Sequence, residues 1–362
     1  MKKAKRSRPT LHDIARDVGV HVSTISRALN PRSRHAVSPD LADKIRRVSQ
    51  RRVYRRNAAA VLLRTNRSHT IGVVIPDITD PVFPPIIRGI EDGLGQHGYV
   101  AILANTDGDA GRQIKLIEAM QPRGVDGLIL ASVARHDAAV SRIAGATPVV
   151  TISRQTDDPR FSSVVHDEDD GIARVLTHLV SLGHRRIAAI AGPQTVSTGY
   201  KRYASFLKHA DMRGLEAKRL PVAFARTFNE TEGERCAEEL LARIPESRPF
   251  TAIACANDRL AIGAITALRR HGVECPRDVS ITGFNDMILA DRLSPALTTV
   301  RVQHHRAGLE AARLVVDIIE SATSEPRHIV LPVELVVRGS ARSISETATC
   351  ESDLPDWATW GR

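Results

Sequence analysis

Apolar positions along this chain follow one period near the start and another afterwards. Within residues 9–52, Leu11, Ile14, Val18, Val20, Ile25, Leu29, Leu41, Ile45 and Val48 recur at helical spacing, enough for a small core. From Thr70 onward the pattern becomes short Val/Ile/Ala runs at 71–76, 100–104, 127–131, 149–153, 187–192, 252–257 and 280–284, separated by helical segments. Such alternation predicts parallel βαβ units, sheets buried on both faces and ligand crevices at the carboxyl ends of strands. Residues 70–345 exceed the usual size of one such sheet, so two lobes sharing a cleft are expected.

Local signals sharpen the first region. Thr10 and Asp13 form a capping-box pattern that starts a helix running to about Val18, and Gly19 permits a tight turn. A second helix covers roughly 22–29, and Ser38-Pro39-Asp40 opens a third with a hydroxyl cap, a proline and an acid near the positive end of the dipole. Two short helices joined by a Gly-containing turn make a helix-turn-helix, whose second helix enters the DNA major groove. On that helix Val20, Ile25 and Leu29 take the inward stripe, leaving Val22, Ser23 and Arg27 outward. Arg27 suits bidentate bonding to guanine, whereas Ser23 and the Val22 methyls read less strictly. Thr24 and Ser26 suit phosphates, and Arg27 as one more phosphate clamp is the competing reading.

The location of charge supports a DNA-binding module. The chain has a formal net charge of +10, yet residues 1–69 hold 18 Lys and Arg against four acids, so everything beyond is slightly acidic. A disordered basic tail would lack the interleaved apolar stripe, and only residues 1–8 fit that description. The opening is basic and polar rather than apolar, and no apolar run approaches membrane-spanning length, so a cytoplasmic, nucleoid-associated protein without a membrane partner is expected. The four cysteines, Cys236, Cys255, Cys275 and Cys350, lack paired spacing, which predicts reduced and mostly buried thiols rather than a metal site or disulfide framework.

Between the two regions, 54–67 combines basic residues with Asn57-Ala58-Ala59-Ala60-Val61-Leu62-Leu63, a marginal helix that needs a stabilising partner. A plain linker is the alternative, although linkers are usually Gly-, Ser- or Pro-rich.

The stretch Leu11-His12-Asp13-Ile14-Ala15, Gly19-Val20, Thr24-Ile25-Ser26-Arg27-Ala28-Leu29-Asn30 and Val37-Ser38 resembles the lactose-repressor (LacI/GalR) family of bacterial transcription regulators. The resemblance continues through Ile71-Gly72-Val73-Val74-Ile75-Pro76, Asp80-Pro81-Val82-Phe83, Arg88-Gly89-Ile90-Glu91, Leu182-Gly183-His184-Arg185-Arg186-Ile187, Ala256-Asn257-Asp258 and Gly283-Phe284-Asn285-Asp286. It implies an N-terminal all-α, lambda-repressor-like helix-turn-helix unit followed by a two-lobed α/β domain of the type I periplasmic-binding-protein fold with three crossovers. The expected divisions are a basic tail at 1–8, a reader at 9–56, a hinge at 57–69, an effector-binding and dimerisation domain at 70–345, and a tail at 346–362 that holds Trp357 and Trp360.

The DNA-contacting set implied is Thr10, His21, Val22, Ser23, Thr24, Ser26, Arg27, Asn30, Asn57, Ala60, Leu63 and Arg64. Leu63 aligns with the family's minor-groove wedge, which unstacks bases to gain a bent duplex. Two departures stand out: His21 replaces the usual Ser, a poorer cap that loosens the reading helix or touches phosphate itself, and Arg56 replaces a common Pro. The effector set implied is Asp80, Phe83, Arg154, Arg202, Phe228, Asn257 and Asn285, with Arg202 on the family's anchoring arginine. Ser153 and Asn285 stand where acids are frequent, which favours a less hydroxyl-rich or anionic effector over an ordinary sugar.

No nucleophile elbow, zinc-protease helix or phosphate-binding P-loop motif appears, so no catalytic residue, cofactor or metal is expected. An exported solute receptor would not carry the basic helical unit. A regulator whose cleft has lost its ligand is the remaining alternative. The function expected is a repressor that binds a palindromic double-stranded operator as a homodimer, with its affinity set by a small-molecule effector.

Overall fold

The computed structural model describes residues 9–29, 36–52, 54, 67–143, 147–243, 250–321 and 325–344. Asn30, Asn57, Ala60, Leu63 and Arg64, the segment at 346–362 and Cys350 lie outside the described residues. The chain divides into two compact units, Met1–Ser68 and His69–Arg362.

In the smaller unit, α1 (Leu11–Val18) begins on the expected reciprocal cap: the Asp13 amide donates to Thr10 Oγ1 at 3.3 Å and the Thr10 amide donates to Asp13 Oδ2 at 2.9 Å. Gly19 ends it at φ +78°, a left-handed turn that glycine adopts without steric cost. After α2 (Val22–Ala28) comes α3 (Pro39–Arg51). Ile14, Ala15, Val18, Ile25, Ala28 and Ile45 form the core. Ser38 makes no side-chain cap bond, contrary to expectation, so Pro39 and Asp40 carry the start of α3. Arg52 donates to both Asp17 oxygens at 2.6 and 2.8 Å, and Lys44 Nζ donates to the Val18 carbonyl at 3.2 Å. These two cations stitch α3 to α1.

The larger unit runs β1 (Thr70–Ile75), α4 (Phe83–Gln96), β2 (Val100–Asn105), α5 (Ala110–Met120), β3 (Gly127–Leu130), α6 (Ala138–Ile143), β4 (Val149–Ile152) and β5 (Ser162–His166). It continues with α7 (Glu168–Ser181), β6 (Ile187–Ala191), α8 (Ser197–Asp211), β7 (Val222–Phe224), α9 (Glu230–Ala242), β8 (Ala252–Cys255), α10 (Asp258–Arg270), β9 (Ser280–Asn285) and β10 (Thr298–Arg301), then α11 (His304–Ser321), β11 (His328–Leu331) and β12 (Glu334–Val336). One sheet has the order β11-β5-β4-β3-β1-β2 and the other β12-β10-β9-β8-β6-β7, parallel except where β12 runs against β10. The chain therefore passes between the sheets three times, before α7, before α11 and between β11 and β12. Strand order reverses at β1 and again at β6, the places where parallel sheets open a crevice at their carboxyl ends.

Each lobe closes over its sheet with helices. In the first, α4 and α11 approach so closely that a Cβ on Gly89 would stand 2.0 Å from the His305 carbonyl oxygen, and one on Gly308 would stand 2.2 Å from that of Ile86. Only glycine fits at either position.

The periodicity missed β5, a fully buried strand whose Ser-Ser-Val-Val-His composition hides it. The serines are not idle there: Ser162 Oγ accepts the Arg327 amide at 3.0 Å, and Ser163 Oγ lies 2.9 Å from His328 Nδ1, joining β5 to β11. Expected as a strand buried on both faces, β2 is instead an edge with Val100 62%, Ile102 40% and Leu103 37% exposed. His184, in the Leu-Gly-His landmark, is structural, with Nδ1 2.9 Å from Thr251 Oγ1 and Nε2 3.1 Å from the Arg342 carbonyl. Cys236 and Cys255 are buried free thiols and Cys275 is half-buried.

Candidate functional site

Two places concentrate the candidate chemistry, one in each unit. In the smaller unit, α2 exposes Arg27, while Ser23, Thr24 and Ser26 are half-buried. His21 corrects an expectation: its Nδ1 accepts the Ser23 amide at 3.3 Å and lies 2.8 Å from Ser23 Oγ, so the imidazole caps the helix that its replacement of Ser was expected to loosen. Val22, read as outward, packs partly against the core. The Thr10 hydroxyl is occupied by Asp13 Oδ2 at 2.8 Å.

In the larger unit, Asp80, Phe83, Arg154, Arg202, Phe228, Asn257 and Asn285 all line one cleft between the lobes, enclosing about 500 Å³ including its mouth. Every one follows a strand end: β1 leads to Asp80 and Phe83, β4 to Arg154, β6 to Arg202, β7 to Phe228, β8 to Asn257, and β9 ends on Asn285. The topology thus gathers residues scattered over two hundred positions. Ser153, His166, Glu168, Thr198, Val302 and His304 complete much of the lining. Most of these escaped the sequence reading because they sit at crossovers or follow β5, which had no recognisable pattern. Only Ser153 was singled out, as a neutral replacement.

Arg202 is not the open cation expected of an anchor. It is 6% exposed and its guanidinium holds both oxygens of the equally buried Glu168, Nη2 at 3.3 Å and Nε closer. Nη1 donates to the Ala256 carbonyl at 2.6 Å, Nη2 reaches Asn285 Oδ1 at 3.5 Å, and the cation lies 3.7 Å from the centroid of the Phe284 ring. Asn257 spends its Oδ1 on the Leu260 amide at 2.9 Å as the cap of α10, which leaves its NH₂ as the group for the cleft. Asp80 Oδ1 accepts the Val82 amide at 3.0 Å, and Oδ2 stands 3.6 Å from Arg259 of the other lobe, which itself pairs with Glu230 at 2.7 Å. Burial holds the Asp80 carboxyl above its usual range despite those two partners.

His166 and His304 meet edge to face, with centroids 6.1 Å apart. Burial, and then the neighbouring cation or imidazole, pushes His166 down to about 3. Burial and Arg202 lower His304 to about 4, against a pull from the Asn285 carbonyl and Asp286. Both rings are therefore neutral near pH 7, each with one donor and one acceptor nitrogen. The lobes also touch beside the cleft, where the Arg135 amide donates to the Thr195 carbonyl at 2.9 Å, the Arg135 guanidinium lies 3.6 Å from the Tyr200 ring centroid, and the Gln155 amide donates to Ser197 Oγ at 2.8 Å.

Residues 176–341 match a periplasmic binding protein-like domain. Over 340 residues, spanning 93% of this chain and 99% of the relative, the sequence is 32% identical to the HTH-type transcriptional regulator DegA of Bacillus subtilis (strain 168). The chain belongs to the LacI/GalR family. This LacI/GalR member is accordingly a helix-turn-helix transcriptional regulator and not an enzyme. It is also similar to the structure of the transcriptional regulator CelR in complex with cellobiose, with a TM-score of 0.71 at 29% identity over 92% of this chain and all of that one. The lac repressor dimer bound to operator and the anti-inducer ONPF shares the fold, with a TM-score of 0.82 at 24% identity over 93% of this chain. Among the described residues no helix is long and apolar enough to cross a membrane.

Arg202→Met leaves Glu168 buried and uncompensated, and we expect a loss of about 3–5 kcal/mol. The double change Arg202→Met, Glu168→Gln should recover most of that loss in denaturant unfolding of the full chain. A double variant no better than the single one would mean that the ion pair is not the unit that matters.

The imidazoles set a second expectation. Their folded-state pKa values lie below the unfolded value, so protons enter the unfolded chain first and stability falls as pH drops from about 6.5 towards 4. The slope reaches at most about 1.4 kcal/mol per pH unit for each ring. His166→Gln with His304→Gln should flatten that acid limb in calorimetry of the larger unit. An unchanged slope would place the titration elsewhere.

Proposed function

We propose that this LacI/GalR member is a cytoplasmic repressor that binds a palindromic operator as a homodimer, its affinity controlled by a small molecule in the interlobe cleft. The observation that carries the reading is the pairing, within one chain similar to DegA almost end to end, of a capped helix-turn-helix unit and a two-lobed cleft. The residues we assign to DNA are Arg27 for base recognition, Ser23, Thr24, Ser26 and His21 around it, and Leu63 as the hinge wedge. The residues we assign to the effector are the seven that line the cleft together with His166 and His304. The solved CelR complex holds cellobiose, which supports a hydroxyl-bearing effector here.

A dimer is supported by exposed apolar edges. The first sheet ends on β2 with Val100, Ile102 and Leu103 outward, and the second ends on β7 with Phe224 42% exposed. Edge strands of this kind are an aggregation hazard unless covered, and a second copy presenting the same surface covers them symmetrically. Lobe closure then acts on DNA by linkage: a ligand that favours one lobe arrangement shifts the spacing of the two readers.

Selection of genomic fragments by the full-length protein at near-physiological salt should recover one short palindrome. Arg27→Ala should weaken it about 10- to 100-fold, as expected for losing one bidentate base contact, and Leu63→Ala should weaken it as well. Enrichment that is indifferent to Arg27→Ala would make that residue a phosphate contact of minor weight. In sedimentation, Ile102→Glu with Leu103→Glu should yield a folded monomer with poor operator affinity. A variant still dimeric would move the interface away from β2.

A further inference from the structure

Among the described residues, charge in the cleft is matched at every position but one. Glu168 holds Arg202, and Asp80 and Glu230 share Arg259. Arg154 makes no side-chain hydrogen bond or ion pair with any described residue, although it lines the same cleft beside Asp80 and Arg202. Asp80 attracts it only from beyond ion-pair distance, with one oxygen committed to the Val82 amide. The backbone presents Arg154 deliberately: Ser153 sits at φ +60°, a left-handed conformation unfavourable for a side-chain-bearing residue, and the Arg154 amide folds back onto the Ile152 carbonyl at 2.6 Å.

Around this cation lie two buried polar atoms without partners among the described residues, Ser153 Oγ and His166 Nε2. His166 is only 5% exposed. Buried polar groups are rarely left unpaired unless something else supplies the bond. The set asks for a molecule with one anionic oxygen group, to neutralise a desolvated guanidinium through its planar fork, and with hydroxyls that both donate and accept, to serve a neutral imidazole and a serine.

We infer that the effector is a hydroxylated anion, its carboxylate or phosphate seated on Arg154 rather than on the Glu168-paired Arg202. This rests on the reading of the cleft as the effector site. It also gives a physical role to the neutral residue at 153, since an acid at that position would pair with the guanidinium and close it to an anionic ligand.

The test uses thermal unfolding of the full chain and of Arg154→Met and Arg154→Lys. The probes are inorganic phosphate, glucuronate and glucose 6-phosphate against glucose, at matched ionic strength. Anion binding to the basic N-terminal unit is common to all three proteins and cancels in the comparison. The wild-type chain should be stabilised by phosphate, and by the acidic sugars more than by glucose. Binding should be about 10- to 100-fold weaker in Arg154→Met, as for loss of a charged hydrogen-bonding group, and only partly restored in Arg154→Lys, which keeps the charge without the planar fork. Without ligand, Arg154→Met should melt no lower than wild type, because it removes an unpaired cation. A response to phosphate no smaller in Arg154→Met than in the wild-type chain, or no response to phosphate in the wild-type chain, overturns the inference. Glucose stabilising the wild-type chain as much as glucuronate and glucose 6-phosphate do would overturn it while leaving the cleft as a small-molecule site.

Discussion

The buried pair of Arg202 and Glu168 is the constraint on which the cleft depends. Glu168 opens the helix entered at the first crossover, and Arg202 lies one turn and a half into the next helix of the same lobe. The guanidinium then binds the carbonyl that ends β8, touches the side chain that ends β9, and covers Phe284 in the lobe core. Four chain segments thus meet on one planar cation, in a place where neither charge survives alone. A serine or aliphatic residue at either position would leave these strand ends without a common partner, and the residues after them without a fixed direction. The consequence for recognition is that these bonds fix Arg202 in the wall of the cleft.

Much of the fold was legible because its signals are local or periodic. The capping box at Thr10 and Asp13, the turn at Gly19 and the strand runs beginning at 71, 127, 187 and 252 depend on neighbours in sequence, and the structure reproduces them. What escaped depends on contacts made far away. The strand at 162–166 reads as polar because its two serines serve the returning segment at 327–328, more than 160 residues downstream. The edge at 100–105 reads as core because period alone does not distinguish a strand with two neighbours from one with a single neighbour.

The same distinction governs the cleft. The effector residues suggested by resemblance fall together because strand ends converge, and the chemistry open to each depends on partners distant in sequence. Arg202 carries the same formal charge in the sequence as Arg154, and only the presence of Glu168 beside one of them separates a scaffold from an open cation. His166 and His304, invisible as a pair across 138 positions, become adjacent because the first and second crossovers lie side by side. Ser153 and Asn285 were both read as neutral residues standing where acids are frequent. In the structure they differ, since Asn285 receives a bond from Arg202 while Ser153 leaves its hydroxyl unpaired.

The polar atoms left unpaired in the cleft bear on the lobe closure proposed for this LacI/GalR member. Contacts at Arg135, Gln155 and Arg259 hold the lobes together around a space in which His166 Nε2 and Ser153 Oγ lack partners among the described residues. Opening the cleft lets water reach those atoms at the expense of the interlobe contacts, whereas a ligand that satisfies them favours closure. The difference between the two arrangements is therefore carried by a handful of polar groups, each unsatisfied one costing about 1–3 kcal/mol. That is the range over which a bound metabolite shifts a two-state equilibrium. A cleft lined only by satisfied residues would bind without such leverage, because a ligand with equal affinity for both lobe arrangements shifts neither.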